Sequence, residues 1–577
     1  MFLLKNKIRV IALLIFVFGI GCSENKSKMP VSSKKELPAI VQVKLPNYFA
    51  KNPANIMLIE NYKVGNFYDM QYDMGKGIVN QNNAKLDLNN STLLLRKVDD
   101  QTIKNSIELN KSFPIKHLVI CTPESRPTKL ETLTKALNQL ESIVIDFEIN
   151  LKPEKTFSCE FLENCKNLKS LRISYAVSST DIKYIKRLEK LYKLDVSFNE
   201  IPSNIKELAT LKNLKEFYLC CDEIITKRQL EFLSKMKSLE EFTITSEIDK
   251  LSDIPHIKNL SFLFVYKMKQ KSKFINNKNT IRTLFLGNMQ DDISLVSKMA
   301  NLESLAIFFN AESTQRDYDK LKRLKNLTEL DIRHARGLKN IDFLKHLKLK
   351  KLKLPAAYVI KPNDVENINT STLKEFDFFL SASSDASLIN KFDKIETLNL
   401  FFIDKYDISK LDFSKFRKLK TLRLYYYPYE FLPITLDRST VETLDIYLMD
   451  GNLNLAGIEK IKDLKSLYIK TKGVFDNIIT CSTIFECKKL EKLRFQDCIL
   501  KFAKNRNVNQ LGKLKELIFV FCKNVPVRQL LHKIPNVEKI YIQSSSLDES
   551  SIGNDKIDDS FLKSCPKLKF YGRFEDQ

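Results

Sequence analysis

The sequence contains no tryptophan and, in 577 residues, only 13 glycines and five histidines. So little glycine excludes a collagen-like chain. The histidines are scattered and no two cysteines have Cys-x-x-Cys spacing, so a zinc site has no support. A nucleophile elbow, a phosphate-binding glycine loop and an HExxH motif are also absent. We therefore predict a non-enzymatic protein with no catalytic residues, no metal and no cofactor.

An apolar run from Val10 to Ile20 lies near the N-terminus and is too short to span a bilayer comfortably. It follows the basic residues Lys5, Lys7 and Arg9 and ends in small residues. A basic stretch, a short apolar core and small residues before the cut are typical of a secretory signal. Residues 1–21 are predicted to be a signal peptide.

Cys22 follows Gly21 and resembles the cysteine of a bacterial lipobox. In that family the cysteine is acylated and becomes the mature N-terminus, which implies lipid attachment at Cys22. Several acyl chains on one residue would anchor a protein stably. Gly19 departs from the pattern, since the family usually has leucine there. The alternative is ordinary signal cleavage before Cys22.

Residues 22–45 are polar and have no apolar period, which predicts a flexible tether. Residues 46–112 are apolar enough to fold but show no clear repeat spacing, apart from a candidate strand at Leu93-Leu94-Leu95. We interpret this segment as an N-terminal cap on the structure that follows. A small flanking domain, which would have to house any unrecognised enzyme site, is the alternative.

A short apolar pattern dominates residues 113–577 and is clearest at Leu191-Tyr192-Lys193-Leu194-Asp195-Val196. The spacing L-x-x-L-x-L recurs about twenty times, at intervals of roughly 21 to 28 residues. Each copy resembles one unit of the leucine-rich-repeat family. Alone, such a unit cannot bury its apolar face, so it must stack on further copies.

The resemblance implies an α/β solenoid, namely a right-handed leucine-rich-repeat horseshoe. Its parallel β-sheet would lie on the concave side and short α- or 3-10 helices on the convex side. Segments between the strands support the helices, because Ile182, Ile185 and Leu188 are three residues apart.

Side chains at the fifth and seventh positions of each repeat alternate with the buried fourth and sixth, so they are expected on the concave face. The seventh positions of four successive repeats are all aromatic, which predicts one aromatic row. Exposed aromatics rimmed by polar groups are common at recognition surfaces. The alternative is that neighbouring rings stack only to stabilise the sheet. The predicted ligand-binding residues are Phe264, Tyr266, Phe285, Phe308, Phe379, Phe401, Arg423, Tyr425, Tyr447 and Tyr468.

Cys159 and Cys165 share their spacing with Cys481 and Cys487, at matching places in two repeats. This regularity predicts small buried residues in the core. A disulfide between Cys159 and Cys165 is the alternative.

The formal net charge of +24 favours solubility and electrostatic steering, because lysines occur in nearly every repeat. Together these patterns predict a lipid-anchored binding protein of the bacterial cell envelope, at the outer membrane or cell surface. Its expected ligand is a protein or peptide held on the concave face, and we expect no nucleic-acid partner. Recognition of a polysaccharide or other envelope polymer is the alternative.

Overall fold

The computed structural model describes residues 84–87, 92–95 and 100–112, most of 114–543, and 570–574. The main gaps after residue 114 are 123–128, 148–157, 290–292, 311–313, 381–385, 403–410, 449–450, 472–476, 502–510 and 544–569, with scattered gaps in 356–361, 428–433 and 521–535. The chain divides into two compact units, the first ending at Ile248 but including Pro255–Asn259, the second comprising Asp249–Ile254 and the chain from Leu260 onward. The predicted signal peptide, tether and lipid-attachment residue Cys22 lie outside the described residues.

The first unit is built on a ladder of short strands. These are β1 (Ala84–Asp87), β2 (Thr92–Leu95), β3 (His117–Thr122), β4 (Ser142–Phe147), β5 (Ser170–Ala176), β6 (Lys193–Phe198), β7 (Glu216–Cys221) and β8 (Glu241–Ile248). Between them lie α1 (Asp100–Ser112), α2 (Leu130–Ala136), α3 (Ile182–Ile185), α4 (Lys227–Leu230) and 3-10 helices at Glu160–Asn164, Ser179–Asp181, Ile205–Thr210 and Glu231–Lys235. Each strand from β2 to β7 pairs in parallel with the strand that follows it, up to β8, whereas β1 is antiparallel to β2.

The second unit repeats the same plan. Its main ladder is β9 (Phe262–Met268), β10 (Thr283–Met289), β11 (Ser304–Asn310), β12 (Glu329–Asp331), β13 (Lys351–Lys353), β14 (Glu375–Leu380), β15 (Thr397–Phe402), β16 (Thr421–Tyr427), β17 (Thr443–Leu448), β19 (Ser466–Thr471), β21 (Lys492–Gln496), β23 (Glu516–Val520), β24 (Lys539–Gln543) and β25 (Phe570–Phe574). Every neighbouring pair in this order is parallel.

Helices in the second unit are short. They are α5 (Gln315–Asp319), α6 (Pro362–Asn367) and 3-10 helices at Leu251–Asp253, Ile293–Lys298, Lys320–Arg323, Asp342–His346, Ala386–Lys391, Phe413–Lys415, Ile434–Arg438, Ile458–Lys460 and Ile484–Glu486. Intervals of roughly 21 to 28 residues leave room for one strand and one or two helical turns, which explains why 3-10 geometry is so frequent. In the described residues no helix is long and apolar enough to cross a membrane.

The predicted fourth-position residues lie in register within each unit. In the first unit the row runs through Leu118, Ile143, Leu171, Leu194, Phe217 and Phe242. In the second it runs from Leu263 through Leu330 and Leu467 to Ile540. Leu194, Leu330 and Leu467 are at most 1% exposed, so each contributes about 1.5–3 kcal/mol of burial energy. The predicted solenoid of leucine-rich-repeat type is confirmed.

The helices pack on the face of the sheet that the fourth positions occupy. Phe217 contacts Phe232 of a 3-10 helix with ring centroids 6.3 Å apart, and Phe376 contacts Phe392, which follows another, at 5.2 Å. Because side chains alternate along a strand, the fifth and seventh positions point to the opposite face. We call this the helix-free face.

The register of the final repeat differs from the prediction. The sequence spacing placed Leu568 opposite Ile540, whereas β25 places Tyr571 there, three residues later. The pattern at Cys565-Leu568-Phe570 satisfies the apolar spacing equally well, so spacing alone could not fix the alignment.

The parallel ladder begins inside the segment that was interpreted as a cap. The strand predicted at Leu93-Leu94-Leu95 is present as β2, and it pairs in parallel with β3, with Leu93 opposite Leu118. β1 then covers the outer edge of β2 in the antiparallel sense, which limits edge pairing. Residues 46–83 lie outside the described residues, so the cap itself stays a prediction.

Two features were not predicted from the sequence. One is a second, three-stranded parallel sheet of β18 (Leu453–Asn454), β20 (Ile478–Thr480) and β22 (Ile499–Lys501), whose strands each come after a strand of the main ladder.

The other is a side-chain hydrogen bond between repeats. An asparagine directly before the first leucine of a repeat often donates its side-chain amide to a carbonyl of the preceding repeat. Examples are Asn213 to Glu189 (2.8 Å), Asn301 to Asn279 (2.8 Å) and Asn326 to Ala300 (3.0 Å).

Candidate ligand-binding surface

Four aromatic side chains from successive strands β14 to β17 stack on the helix-free face. They are Phe379, Phe401, Tyr425 and Tyr447, which are paired in register. The ring centroids are 4.7, 4.4 and 4.5 Å apart along the series, with interplanar angles of 20°, 5° and 8°. This aromatic row arises because parallel strands lie about 4.8 Å apart, close to the stacking distance of two rings.

The row ends at Tyr468 of β19, where the geometry changes. Tyr447 meets the Tyr468 ring edge-on, with centroids 5.6 Å apart at 80°. The Arg494 guanidinium lies 4.7 Å from the centroid of the Tyr468 ring. The Tyr468 hydroxyl donates to Oε1 of Gln496 at 2.7 Å, which fixes the ring in place. Tyr468 is thus oriented by its neighbours on β21.

A polar ladder occupies the fifth positions beside the aromatic row. Its members are Lys353, Asp377, Asn399, Arg423 and Asp445, each opposite the next in register. The Asn399 amide donates to Asp377 Oδ1 at 2.6 Å, and Arg423 Nη1 donates to Asn399 Oδ1 at 3.3 Å. Arg423 Nε donates to Asp445 Oδ2 at 3.0 Å. The Lys353 ammonium lies 3.8 Å from the Asp377 carboxylate.

Burial changes the protonation preferences of this surface. It raises the pKa of Asp377 despite Lys353 and Arg333, and it raises the pKa of Asp445 despite Arg423. Burial also raises the pKa of Tyr425 and of Tyr447 well above the ordinary value. Both phenols therefore stay protonated at neutral pH and keep a hydroxyl hydrogen to donate.

An ion pair between Arg333 and Asp331 lies at the other end of the polar ladder. Arg333 donates to both carboxylate oxygens of Asp331, at 3.0 Å from Nε and 2.9 Å from Nη2. Lys353 lies 3.8 Å from the same carboxylate. Positive and negative groups therefore alternate along the ladder, and a paired arrangement of this kind orients its members rigidly.

Tyr426 is an exposed aromatic residue next to the row. It lies at a bulge in β16, between residues that pair with β17 on either side, and it adopts a left-handed backbone with φ of 58°. Its side chain is 43% exposed. An aromatic residue in this conformation is unusual and is held at some cost in free energy.

The other predicted ligand-binding residues are not all part of this surface. Phe264 and Phe285 were expected on an accessible face, yet they are only 3% and 9% exposed. Their rings pack against each other at 6.4 Å, and Phe285 also packs on Phe262 at 5.4 Å, so little of either ring is left for a ligand. Tyr266 is partly exposed, and the Phe308 side chain lies outside the described residues.

The sequence reasoning identified the aromatic row, Arg423 and Tyr468, but missed Asn399 and Lys353. Both occupy fifth positions, so the period that found the row also identifies them. Among the described residues, no group of three or more His, Cys, Asp or Glu side chains is arranged to hold a metal ion.

No protein-family model matches the sequence, and no curated protein matches it. The chain folds as a leucine-rich-repeat solenoid. The mouse RP105/MD-1 complex is 14% identical with a TM-score of 0.43, over 84% of this chain and 82% of that one. A leucine-rich-repeat protein of Leptospira interrogans is 14% identical with a TM-score of 0.25, over 83% and 99%.

A third solved structure is the leucine-rich-repeat ectodomain of the Arabidopsis receptor kinase HAESA in complex with an N-terminally extended IDA peptide hormone. It is 14% identical with a TM-score of 0.31, over 77% of this chain and 80% of that one. Likenesses this distant indicate nothing about a ligand of this chain.

Proposed function

We propose that this solenoid is a non-enzymatic binding protein whose aromatic row contacts a protein or peptide partner. The observation that carries the proposal is the row itself, with four partly exposed rings in register on the helix-free face. Aromatic residues supply much of the binding energy at protein interfaces. A stacked row also loses little side-chain entropy on binding, because its rotamers are already fixed.

The stacking favours a polypeptide over a sugar. Phe401 and Tyr425 each have both ring faces against neighbouring rings. A pyranose ring binds aromatic side chains through their faces, and these faces are occupied. What these two central rings leave for a partner is their edges, which carry partial positive charge, and the row adds the hydroxyls of Tyr425 and Tyr447. Such groups suit carbonyl and carboxylate oxygens and apolar side chains.

The test is affinity capture with the full mature chain as bait. The variant with Phe379, Phe401, Tyr425 and Tyr447 all changed to alanine should lose a partner that the parent chain captures from envelope extract or host-cell lysate. A control variant with exposed lysines Lys169, Lys215, Lys374 and Lys465 changed to alanine should retain it. Thermal unfolding of both variants checks that each remains folded. Equal capture by the alanine row variant would contradict the proposal.

A glycan ligand gives a different pattern in the same experiments. It would bind on a glycan array, lose binding as salt is raised, and survive protease treatment of the extract. Salt-insensitive capture of a protein counts against it, whereas a glycan captured in the absence of protein would replace the polypeptide proposal.

We also propose that the chain is anchored to a bacterial membrane through Cys22. The support is the sequence alone, namely the basic stretch, the short apolar run and the cysteine after Gly21. Radiolabelled palmitate should label the parent chain expressed in bacteria but not the Cys22→Ala variant, and the variant should leave the membrane fraction. Label retained by the variant would contradict acylation at this residue.

A further inference from the structure

Three buried cysteines lie close together, away from the aromatic row. Cys498 and Cys522 occupy matching places in two successive repeats, after β21 and β23, and Cys481 follows β20. Cys481 and Cys498 are 0% exposed and Cys522 is 5% exposed. Free cysteines are common in protein cores, so burial alone assigns them no role.

The contact between Cys498 and Cys522 distinguishes this pair. Their sulfur atoms are 3.7 Å apart. The backbone N–H of Lys523 donates to the Cys498 carbonyl at 3.0 Å, and that of Asp497 donates to the Val520 carbonyl at 2.9 Å. These bonds hold the two chain segments side by side. Parallel segments bonded in this way lie about 4.8 Å apart, and a disulfide requires about 4.4–6.8 Å between its Cα atoms.

We propose that Cys498 and Cys522 are an oxidisable pair whose disulfide crosslinks two successive repeats, with a low-molecular-weight disulfide as the oxidant. One thiolate attacks the oxidant and releases the first small thiol, which leaves a mixed disulfide. The second thiolate then attacks the protein sulfur of that mixed disulfide and releases the second small thiol. Two protein thiols lose their protons and are oxidised, and one small disulfide is reduced to two thiols.

The environment determines when the reaction occurs. The Cys522 thiol and burial both raise the pKa of Cys498 well above its ordinary value, which disfavours its thiolate, and both cysteines are at most 5% exposed, which keeps an oxidant away from them. Oxidation is therefore expected while the chain folds or when this region opens, and the folded structure then protects the bond. The sulfur contact at 3.7 Å joins Cys498 to Cys522, so Cys522 and not Cys481 is the expected partner of Cys498.

The experiment is refolding of the full mature chain in a mixture of oxidised and reduced glutathione. Free thiols are then alkylated, and the chain is digested without reduction and analysed by mass spectrometry. The expected product is a peptide pair joined through Cys498 and Cys522, two hydrogen masses lighter than the free peptides. Amide exchange in β21 and β23 should also slow by about ten-fold or more relative to the reduced chain.

Two variants make the result specific. Cys522→Ser should abolish the linked pair and leave Cys498 alkylated, whereas Cys487→Ser, which changes another buried cysteine of the same region, should keep it. Alkylation of both Cys498 and Cys522 in the refolded parent chain would overturn the proposal. A bond from Cys498 to Cys481 in the parent chain would overturn it too, and neither result depends on the variants folding.

Discussion

The surroundings of Glu241 disfavour the charged form of its carboxylate. It stands opposite Glu216 on the neighbouring strand, and Glu216 is already paired with Lys193 at 2.8 Å. Burial raises the pKa of Glu241 to about 7, and repulsion from Glu216 adds to this while Lys193 opposes it. The folded chain therefore binds a proton more tightly at this residue than the unfolded chain does.

The sign of the pH effect follows from that difference. Between the unfolded pKa of about 4.5 and the folded value of about 7 the native state holds the extra proton, so stability falls as pH rises through this window. The Glu241→Gln variant should lack this loss and be more stable than the parent chain above pH 7 by about 1–3 kcal/mol. Urea unfolding of both chains at pH 5 and pH 8 measures this difference in the free energy of unfolding.

Glu375→Gln is the matched control. Glu375 has the same position in its own repeat, but its neighbour is Lys351 at 3.6 Å rather than a second carboxylate. This variant should show no gain above pH 7. An equal gain in both variants would mean that the change from Glu to Gln is stabilising in itself, and not through the burial of Glu241 and its Glu216 neighbour.

Arg423 makes two hydrogen bonds in the polar ladder, one to Asn399 and one to Asp445. The Arg423→Leu variant removes the donor to the Asp445 carboxylate and should destabilise the chain by about 1–3 kcal/mol, because a buried charged acceptor is left unpaired. The double variant Arg423→Leu with Asp445→Leu should recover most of this loss. Denaturant unfolding of the double variant and of the two single variants, Arg423→Leu and Asp445→Leu, tests the claim. It fails if the double variant loses as much free energy of unfolding as the two single variants together.

The aromatic row is an element in its own right, because each ring is held by rings on neighbouring strands. Phe401 and Tyr425 stack at 4.4 Å, so a double-mutant cycle to alanine should give a coupling energy of about 0.5–1.5 kcal/mol. Phe379 and Tyr447, at the two ends of the row, should be additive to within about 0.5 kcal/mol. Coupling as large between the ends as between the neighbours would contradict pairwise stacking.

Which elements were predictable depends on how many constraints act together. The strands with fourth positions at Leu330 and Leu467 followed from apolar period alone, because many copies must share one register. At the final repeat two alignments satisfy the apolar spacing equally well, and the predicted register was three residues off. The aromatic row was predictable because side-chain alternation is strict along a strand.

The features that sequence could not predict depend on contacts between repeats. Phe264 has the same position as Arg423, and only the rings packed around it decide that it is buried. The bulge at Tyr426 and the small sheet of β18, β20 and β22 are likewise irregularities of individual repeats. A period that all the repeats share cannot predict them.

On the scale of the whole molecule, the net charge is +24, but some of the basic residues behind it form ion pairs. The second-position lysines, interpreted from sequence as a solvated face, pair with carboxylates of adjacent repeats. Lys169 lies 2.7 Å from Glu141, Lys215 lies 2.8 Å from Glu240, and Lys465 lies 2.8 Å from Glu442. Exposed pairs of this kind contribute little to stability, so the remaining positive charge acts mainly on solubility and on steering a partner.

Site-specific photo-cross-linking tests the central claim, that a polypeptide partner contacts the aromatic row. The full mature chain would carry p-benzoylphenylalanine in place of Tyr426, which is 43% exposed and adjoins Tyr425 without being one of the stacked rings. The control carries it in place of Tyr192, which is 39% exposed and lies in the first unit. Irradiation in envelope extract or host-cell lysate should yield a covalent protein adduct from residue 426 that is absent from residue 192. An adduct at 192 and none at 426 would contradict the account.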